Sequence, residues 1–298
     1  MSKEFDEPAR GAGASALAKW ARSEFGLCVL GGLFVLALGV ALGFGVPSGS
    51  SQLSSVLGWT YFAAWSVSFW PQILVNRARR SVVGLSFDYV ALNLVGFSCY
   101  SAYNCAYFFN SAVRAEYAQR YGAPPAVQLN DVFFGLHAVF ATCVTIAQMA
   151  VYERGGQSVS LPARGLLAAL VLAIVAAVAL SAAGTITTLT MLLALSYLKL
   201  VVSLTKYTPQ AVMNWRRRST EGWSIHNVLL DFTGGLLSVL QLVIDCSAAG
   251  DWSGAIGDPV KFGLGFASMV YDVVFMVQHY ALYPSKEHGH EYEAIVGQ

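Results

Sequence analysis

The segment KYTPQAVMNWRRRSTEGWSIHNVLLDFTGG, residues 206–235, decides how this chain is organised. Its surroundings are strongly apolar, yet it carries the ionisable residues Lys206 and Asp231. Ionisable groups at membrane depth are costly and usually mark the path of a substrate or an ion. Seven residues of this segment recur at one constant spacing earlier in the chain. The earlier set is Pro71, Gln72, Asn76, Arg80, Ser81, Gly84 and Ser86, and the later set is Pro209, Gln210, Asn214, Arg218, Ser219, Gly222 and Ser224. The match indicates an internal duplication.

The composition indicates an all-α membrane protein. Of the 298 residues, 56% are hydrophobic and only 12% are charged, whereas soluble domains carry about 25% charged residues. Several apolar runs reach the roughly 20 residues that a helix needs to cross a bilayer. The formal net charge of +1 gives no basic footprint for nucleic acid. The five cysteines are scattered through apolar segments, which favours neither a zinc site nor a disulfide framework.

The apolar segments predict a body of seven helices with an extra hydrophobic segment, 25–46, in front of it. This segment is long enough to be an uncleaved helix, although a cleaved signal peptide is the alternative. The predicted body helices are 54–76, 83–109, 130–152, 161–183, 186–214, 223–246 and 260–283. The predicted regions are a tail with the extra segment at 1–53, a first repeat at 54–152, a linker helix at 153–185, a second repeat at 186–283 and a tail at 284–298.

The arginines set the predicted orientation. They concentrate in alternate loops, around Arg77 to Arg80, Arg154 to Arg164 and Arg216 to Arg218. The positive-inside rule places these loops and the C-terminus in the cytoplasm. Both copies of the duplication then have the same orientation in the membrane. The single linker helix between them makes this possible, because it reverses the chain direction once more after three helices. Parallel-repeat carriers bind their substrate between the halves, near the midplane.

Polar stripes on four helices predict a binding cavity between the repeats. The stripes have helical spacing, and among their members are Trp65, Asn93, Lys199, Lys206, Asn227 and Asp231. Polar glue between helices is the simpler interpretation for the serines and glycines. Packing does not require charge, however, so Lys199, Lys206 and Asp231 favour a functional interpretation. Two cations, an anion and amide groups suit a zwitterionic amino acid better than a neutral sugar.

The duplicated Pro-Gln pairs predict hinges. Pro71 and Pro209 fall inside predicted helices, where proline removes a backbone hydrogen bond and causes a kink. The following residue, Gln72 or Gln210, can reach the carbonyl that is freed. Lys206 and Asn214 continue the same face of the second copy. We interpret these residues as a gate at the cytoplasmic side, with static kinks as the alternative.

Further acids and histidines are candidates for proton transfer. Asp131 opens the helix 130–152, where the helix dipole favours an acid, so capping is an alternative to transport. Asp272 lies within the helix 260–283, and capping does not explain it. His137 and His279 suit either proton relay or packing.

Longer stretches give the sequence a family resemblance. SFWPQILVNRARRSVVGLSFDYVALNLVGF and the segment 206–235 resemble the PQ-loop family, and within it the lysosomal cystine carriers. NDVFFGLHAV, VYERGGQ, GDPVKFGLG and YDVVFMVQHY are similar to the same group. The resemblance covers roughly residues 54–283. It implies a seven-helix, SWEET-like PQ-loop body of two parallel three-helix repeats and a linker helix.

The resemblance also implies a function. It implies proton-coupled export of L-cystine from the lumen of a lysosome or vacuole to the cytosol, with protons as the coupling ion and no other cofactor. By motif match, Asp231 is the proton-coupling acid, and Asp131 and Asp272 are linked to transport. Asn93, Lys199, Lys206 and Asn227 match positions of substrate binding and gating. A carrier for another amino acid or a sugar and a non-transporting seven-helix receptor remain alternatives, and none of these is an enzyme.

The C-terminal tail contains a candidate sorting signal. Tyr292 and Ile295 have the spacing of a tyrosine-based motif with a bulky apolar fourth residue. Such a motif would bring clathrin-adaptor machinery as a partner on the cytosolic side of the bilayer.

Overall fold

The computed structural model describes residues 24–46, 51–122, 124–125, 127–250 and 259–284. Almost all of these residues are helical, and the described part contains no β-strand, only an isolated bridge between Ser81 and Glu153. The predicted all-α fold class is therefore confirmed. The tail with Tyr292 and Ile295 and the first 23 residues lie outside the described residues.

The described helices follow the predicted order. They are α1 (Glu24–Gly45), α2 (Gln52–Arg79), α3 (Phe87–Phe109), α4 (Ser111–Tyr121), α5 (Leu129–Val151), α6 (Leu161–Ala182), α7 (Thr188–Thr205), α8 (Tyr207–Arg217), α9 (Ile225–Ala249) and α10 (Pro259–Met276), which continues into a π-helical turn at Val277–Leu282. Serine or threonine side chains cap several helix starts, such as Ser86 on α3 and Ser224 on α9.

The two repeats pack against each other with approximate two-fold symmetry. In the first repeat, α5 contacts both α2 and α3, and in the second repeat α10 contacts both α7 and α9. Across the interface, α2 packs on α9 and α3 packs on α7. The linker helix α6 packs on α3 and α7 at the outside of this pair. The first two helices of each repeat therefore enclose the centre of the body.

Four stretches of the described chain are long and apolar enough to cross a membrane. These are Leu129–Val151, Leu161–Ala182, Thr188–Arg217 and Ile225–Ala248, and Val29–Gly45 is a shorter apolar helix. The helices α2 and α3 have 28 and 23 residues but carry more polar side chains. A polar face on a helix of spanning length is expected where it lines a cavity rather than lipid.

The structure differs from the predicted helices at two places. The predicted helix 186–214 is interrupted at Lys206, which separates α7 from α8. The predicted loop 110–129 contains α4, whose start is capped by the Asn110 side chain and whose end is marked by Gly122 at φ 78°. Short amphipathic helices lack the long apolar run on which the sequence prediction depended.

The extra hydrophobic segment packs closely on the first repeat. A Cβ atom at Gly39 would meet the Thr60 Cα atom at 2.4 Å, and one at Gly43 would meet the Val56 Cα atom at 2.6 Å. The Gly43 carbonyl also accepts hydrogen bonds from Ser55 Oγ and Gln52 Nε2. Small residues allow this close approach of two helix backbones in a membrane.

Candidate functional site

A cavity lies at the centre of the body, where the two repeats meet. Its lining combines apolar rings with an amine, a carboxyl and an amide group. The lining residues are Trp65, Ser68, Phe69, Tyr89, Phe97, Phe134, Lys206, Tyr207, Asn227 and Asp231. Four residues predicted from sequence, Trp65, Lys206, Asn227 and Asp231, therefore meet in one place.

Asp231 is held by residues of both repeats. Its Oδ2 atom accepts hydrogen bonds from the Tyr207 hydroxyl at 2.7 Å and from Ser268 Oγ at 2.9 Å. The Trp65 Nε1 atom donates to the backbone carbonyl of Asp231 at 3.1 Å. The Tyr207 and Ser268 contacts were not predicted, because each is a common residue in an apolar helix. Together they fix the carboxyl group at the wall of the cavity.

Lys206 contributes the amine group of the cavity lining. It is 6% exposed, and its Nζ atom donates to Asn93 Oδ1 at 3.0 Å. Nζ also lies 4.3 Å from the centre of the Tyr207 ring. The Lys206 side chain of the second repeat therefore contacts α3 of the first repeat.

A second cavity adjoins the first and contains the amide groups. It shares Phe69, Tyr89 and Asn227 with the first cavity. Its other lining residues are Gln72, Val90, Asn93, Thr142 and Thr145. The predicted residue Asn93 therefore lies beside the charged cavity rather than in its wall. The charged side chains line the first cavity, and most of the amide side chains line the second.

Three predicted residues lie near the cavities without lining them. Lys199 is 5% exposed and lies behind Phe97, over whose ring its Nζ atom sits at 4.4 Å from the centre. Asp272 is 1% exposed, and its Oδ2 atom has no hydrogen-bond partner among the described residues. Asp131 caps α5 by accepting from the Gln128 backbone at 2.9 Å and also contacts the Tyr100 hydroxyl at 3.4 Å. Asp131 thus makes the capping contact, and its predicted link to transport stays a prediction.

The predicted histidines have packing partners. His137 accepts a hydrogen bond from Trp70 Nε1 at 3.3 Å, and His279 Nδ1 lies 2.9 Å from Thr220 Oγ1. Neither histidine lines one of the two cavities.

The arginine-rich loops 80–86 and 218–224 meet at one end of the body. These two loops and residues 152–160 are here called the arginine end. Arg79 of the first repeat forms a salt bridge of 2.9 Å with Glu221 of the second. Gly84 and Gly222 lie back to back at φ 101° and 85°. A Cβ atom at Gly84 would meet the Glu221 carbonyl oxygen at 2.1 Å, and one at Gly222 would meet the Val83 carbonyl oxygen at 2.2 Å. Only glycine fits either position, because of both the conformation and the space.

The glutamines of the Pro-Gln pairs join these two loops reciprocally. Gln72 donates to the Gly222 carbonyl and accepts from the Ser224 backbone, each at 2.9 Å. Gln210 donates to the Gly84 carbonyl at 2.9 Å and accepts from the Ser86 backbone at 2.7 Å. Each glutamine is buried and binds the loop of the other repeat. We call these four hydrogen bonds the glutamine clamp.

The clamp corrects the predicted role of these glutamines. We expected each one to reach the carbonyl that the preceding proline frees, but both side chains bind across the interface instead. Pro71 lies inside α2, and Pro209 follows the break between α7 and α8 at Lys206, where the backbone stays helical at φ −58° and ψ −33°. A proline disturbs the helical hydrogen bonding of the turn before it, so the predicted kink or hinge at both prolines stays a prediction.

A second layer of amides supports the clamp. Gln72 and Gln210 each donate to the asparagine one turn later, Asn76 at 2.9 Å and Asn214 at 2.8 Å. These asparagines donate in turn to glutamines of the third helices, Gln148 at 2.9 Å and Gln278 at 3.1 Å. The sequence comparison missed Gln148 and Gln278 because the third helices do not keep the spacing of the first two. In the sequence, each of them was indicated only by a glutamine within a largely apolar segment.

The linker binds the first of the two loops. Gln157 accepts from the Gly84 backbone and donates to the carbonyls of Val82 and Leu85. At the start of α6, Ser160 donates to Asp88 through its backbone at 2.7 Å and its hydroxyl at 2.6 Å. The loop 80–86 is therefore tied to the linker as well as to the second repeat.

At the opposite end of the body, polar groups join α2 to α9. The Ser54 hydroxyl donates to Asp245 Oδ2 at 2.9 Å, and Gln241 Nε2 donates to the Ser54 carbonyl at 2.7 Å. The cavities lie between this contact and the glutamine clamp.

Comparisons with known proteins agree on one family. The model of the PQ loop repeat matches residues 53–113 and 191–249, one in each repeat. The chain is 51% identical to cystinosin of Drosophila melanogaster over 77% of its own length and 58% of the relative's. It is 42% identical to a cystinosin homolog of Dictyostelium discoideum over 79% of the chain and 83% of the relative. A cystine transporter of Saccharomyces cerevisiae is 27% identical over 80% of the chain. The chain thus spans about three fifths of the length of the Drosophila protein.

Proposed function

The chain belongs to the cystinosin group of the PQ-loop family, and from this we propose that it is a cystine carrier rather than an enzyme. The relatives are named as cystinosins and, in yeast, as a cystine transporter. The observation that carries the proposal is the cavity between the repeats, which presents an amine and a carboxyl group together.

The chemistry of this cavity suits a zwitterion. Cystine has an ammonium and a carboxylate group at each end and a disulfide between them. Asp231 can bind an ammonium group, while Lys206 can bind a carboxylate, and Asn227 lies between the two cavities. Charge-assisted hydrogen bonds of this kind are about twice as strong as neutral ones. The rings of Trp65, Phe69 and Phe134 offer an apolar surface for the disulfide.

We propose that transport alternates access around this site. The arginine end faces the cytosol by the positive-inside rule, and the glutamine clamp is its closed gate. Opening the gate separates the loops 80–86 and 218–224 and breaks the four hydrogen bonds of the clamp. The linker keeps the first loop in place, so the second loop moves against it.

The proposal also includes proton coupling and the direction of transport. Asp231 touches the substrate cavity, and Asp272 is the other buried acid beside it on α10. We assign proton coupling to Asp231 first and to Asp272 second, with export from an acidic lysosomal or vacuolar lumen to the cytosol. The C-terminal tail would then be cytosolic, where Tyr292 and Ile295 could meet clathrin adaptors.

Uptake of labelled cystine tests the proposed substrate. The full chain is directed to the plasma membrane, where the former lumenal side faces an acidic medium. We expect saturable uptake that excess unlabelled cystine abolishes and excess glucose does not. Uptake no higher than in cells with an Asn227→Ala variant at equal surface expression would contradict the proposal.

A further inference from the structure

Two lysine amines of the second repeat share one aromatic ring of the first. The Nζ atoms of Lys199 and Lys206 lie 4.4 Å and 5.1 Å from the centre of the Phe97 ring. All three side chains are nearly buried, at 5%, 6% and 5% exposure. No motif singled out Phe97, which is one of many apolar residues in α3.

Lys199 depends on this ring more than Lys206 does. Lys206 also donates a hydrogen bond to Asn93. Among the described residues, the Lys199 amine has no hydrogen-bond or salt-bridge partner; its contacts are the rings of Phe97 and, at 5.9 Å, Tyr100. A cation over an aromatic face gains about 2 kcal/mol or more when both groups are removed from water.

The Phe97 ring is itself fixed in the cavity wall. It makes edge-to-face contacts with Phe69, at 5.5 Å between ring centres, and with Phe134, at 6.0 Å. Edge-to-face packing is a favoured arrangement of aromatic rings. At the neighbouring residue Gly96, an added Cβ atom would lie 2.7 Å from Val202 Cγ1, so α3 approaches α7 closely here. The position of the ring relative to both lysines is therefore set by packing.

We propose that Phe97 is a positioning residue that holds the Lys206 amine ready for the carboxylate of the substrate, while it stabilises the Lys199 amine behind the cavity wall. This inference rests on the proposed function. An acidic residue at this position would also stabilise the two buried amines, but it would compete with the substrate's carboxylate for Lys206. An aromatic ring stabilises both amines without supplying a competing anion. Lys206 thus remains available to an anionic group that enters the cavity.

A first experiment tests the geometry independently of transport. Protein labelled with ¹³C-lysine is compared with its Phe97→Leu variant by NMR, with Lys199→Arg and Lys206→Arg used for assignment. We expect the ring current of Phe97 to shift the side-chain signals of both lysines, and the shifts to disappear in Phe97→Leu. Lysine signals that do not move between the two proteins overturn the inference, whether or not the chain carries cystine.

A second experiment tests the role in transport. Phenylalanine analogues with one, two and three fluorine atoms are incorporated at position 97, because fluorination weakens the negative face of the ring with little change in shape. We expect the KM for cystine to rise stepwise with fluorination, by about tenfold at the trifluoro analogue, which corresponds to about 1.4 kcal/mol. The maximal rate and surface expression should change much less.

The matched control is Phe87, a buried residue at the start of the same helix that lines neither cavity. Fluorination there should leave the KM unchanged. A flat KM across the Phe97 series, in a wild-type protein that carries cystine, overturns the positioning role while leaving the proposed function intact. A wild-type protein that carries no cystine contradicts the proposed function instead, and the NMR comparison still decides the geometry.

Discussion

At the scale of residues, the site depends on a few polar side chains that packing alone does not require. Asp231 and Lys206 lie in the same cavity wall, and each is oriented by a partner, Tyr207 or Asn93. Most of the remaining cavity lining consists of apolar rings. Removal of one polar side chain therefore leaves the substrate group that it binds without a hydrogen-bond partner. Hydrogen bonds to charged groups contribute about 1.5–3 kcal/mol, and an unsatisfied buried group costs a similar amount.

We therefore expect Asn227→Ala and Lys206→Ala to reduce cystine transport by about tenfold or more at normal expression, since 1.4 kcal/mol corresponds to a factor of about ten. Labelled uptake at matched surface expression measures the effect. Thr233→Val is the control, because Thr233 lies on the exposed face of α9 and only bonds the Leu229 carbonyl. Wild-type uptake in either alanine variant would remove that residue from the site.

At the scale of elements, the proposed gate consists of two loops whose backbone hydrogen bonds neither repeat completes alone. The backbone groups at Gly84, Ser86, Gly222 and Ser224 have their hydrogen bonds with the glutamine of the other repeat. Each copy of the duplicated loop thus receives its hydrogen bonds from the glutamine of the other copy.

Loss of the clamp should open the arginine end. In a background without the five native cysteines, Thr145→Cys places a thiol in the second cavity. We expect Gln72→Leu with Gln210→Leu to increase its labelling from the arginine end by a membrane-impermeant reagent several-fold. Gln128→Leu at the start of α5 is the control. Equal labelling in clamp and control variants is the result that argues against a gate.

The two prolines should have similar effects. Pro71 lies inside α2, and Pro209 follows the break between α7 and α8 at Lys206, where the backbone stays helical. Pro71→Ala and Pro209→Ala should each restore a helical hydrogen bond and slow turnover more than they weaken binding. Transport rates at saturating cystine test this, and normal rates in both variants would show that the kinks are static.

The packing of α1 on α2 gives a stability prediction. A side chain at Gly39 or Gly43 would collide with the backbone of α2, while Gly31 and Gly32 have open space around them. Overpacking typically costs about 1–3 kcal/mol. We expect Gly39→Leu to lower the thermal unfolding temperature in detergent and Gly31→Leu to leave it unchanged. If both variants unfold at the same temperature, α1 does not depend on this contact.

At the scale of the whole molecule, the parts that the sequence predicted are those that depend on spacing and hydropathy. The apolar runs identified the helices, and the repeated Pro-Gln pairs led to two repeats that the structure indeed pairs symmetrically. Asp231 and Lys206 were found because charge in an apolar helix is unusual. What the sequence could not predict depends on contacts across the interface. Phe97, Tyr207 and Gln148 look ordinary along the chain, and their roles follow only from which helix each one faces.

The central claim is that the cavity between the repeats carries cystine together with a proton that Asp231 binds. The most direct measurement is the current that cystine evokes in cells with the carrier at the plasma membrane, with an acidic and then a neutral external medium. The account predicts an inward current that grows with acidity in the wild type and is lost in Asp231→Asn, which mimics the permanently protonated residue. A pH-driven current of wild-type size in Asp231→Asn, with its loss in Asp272→Asn instead, would contradict the account.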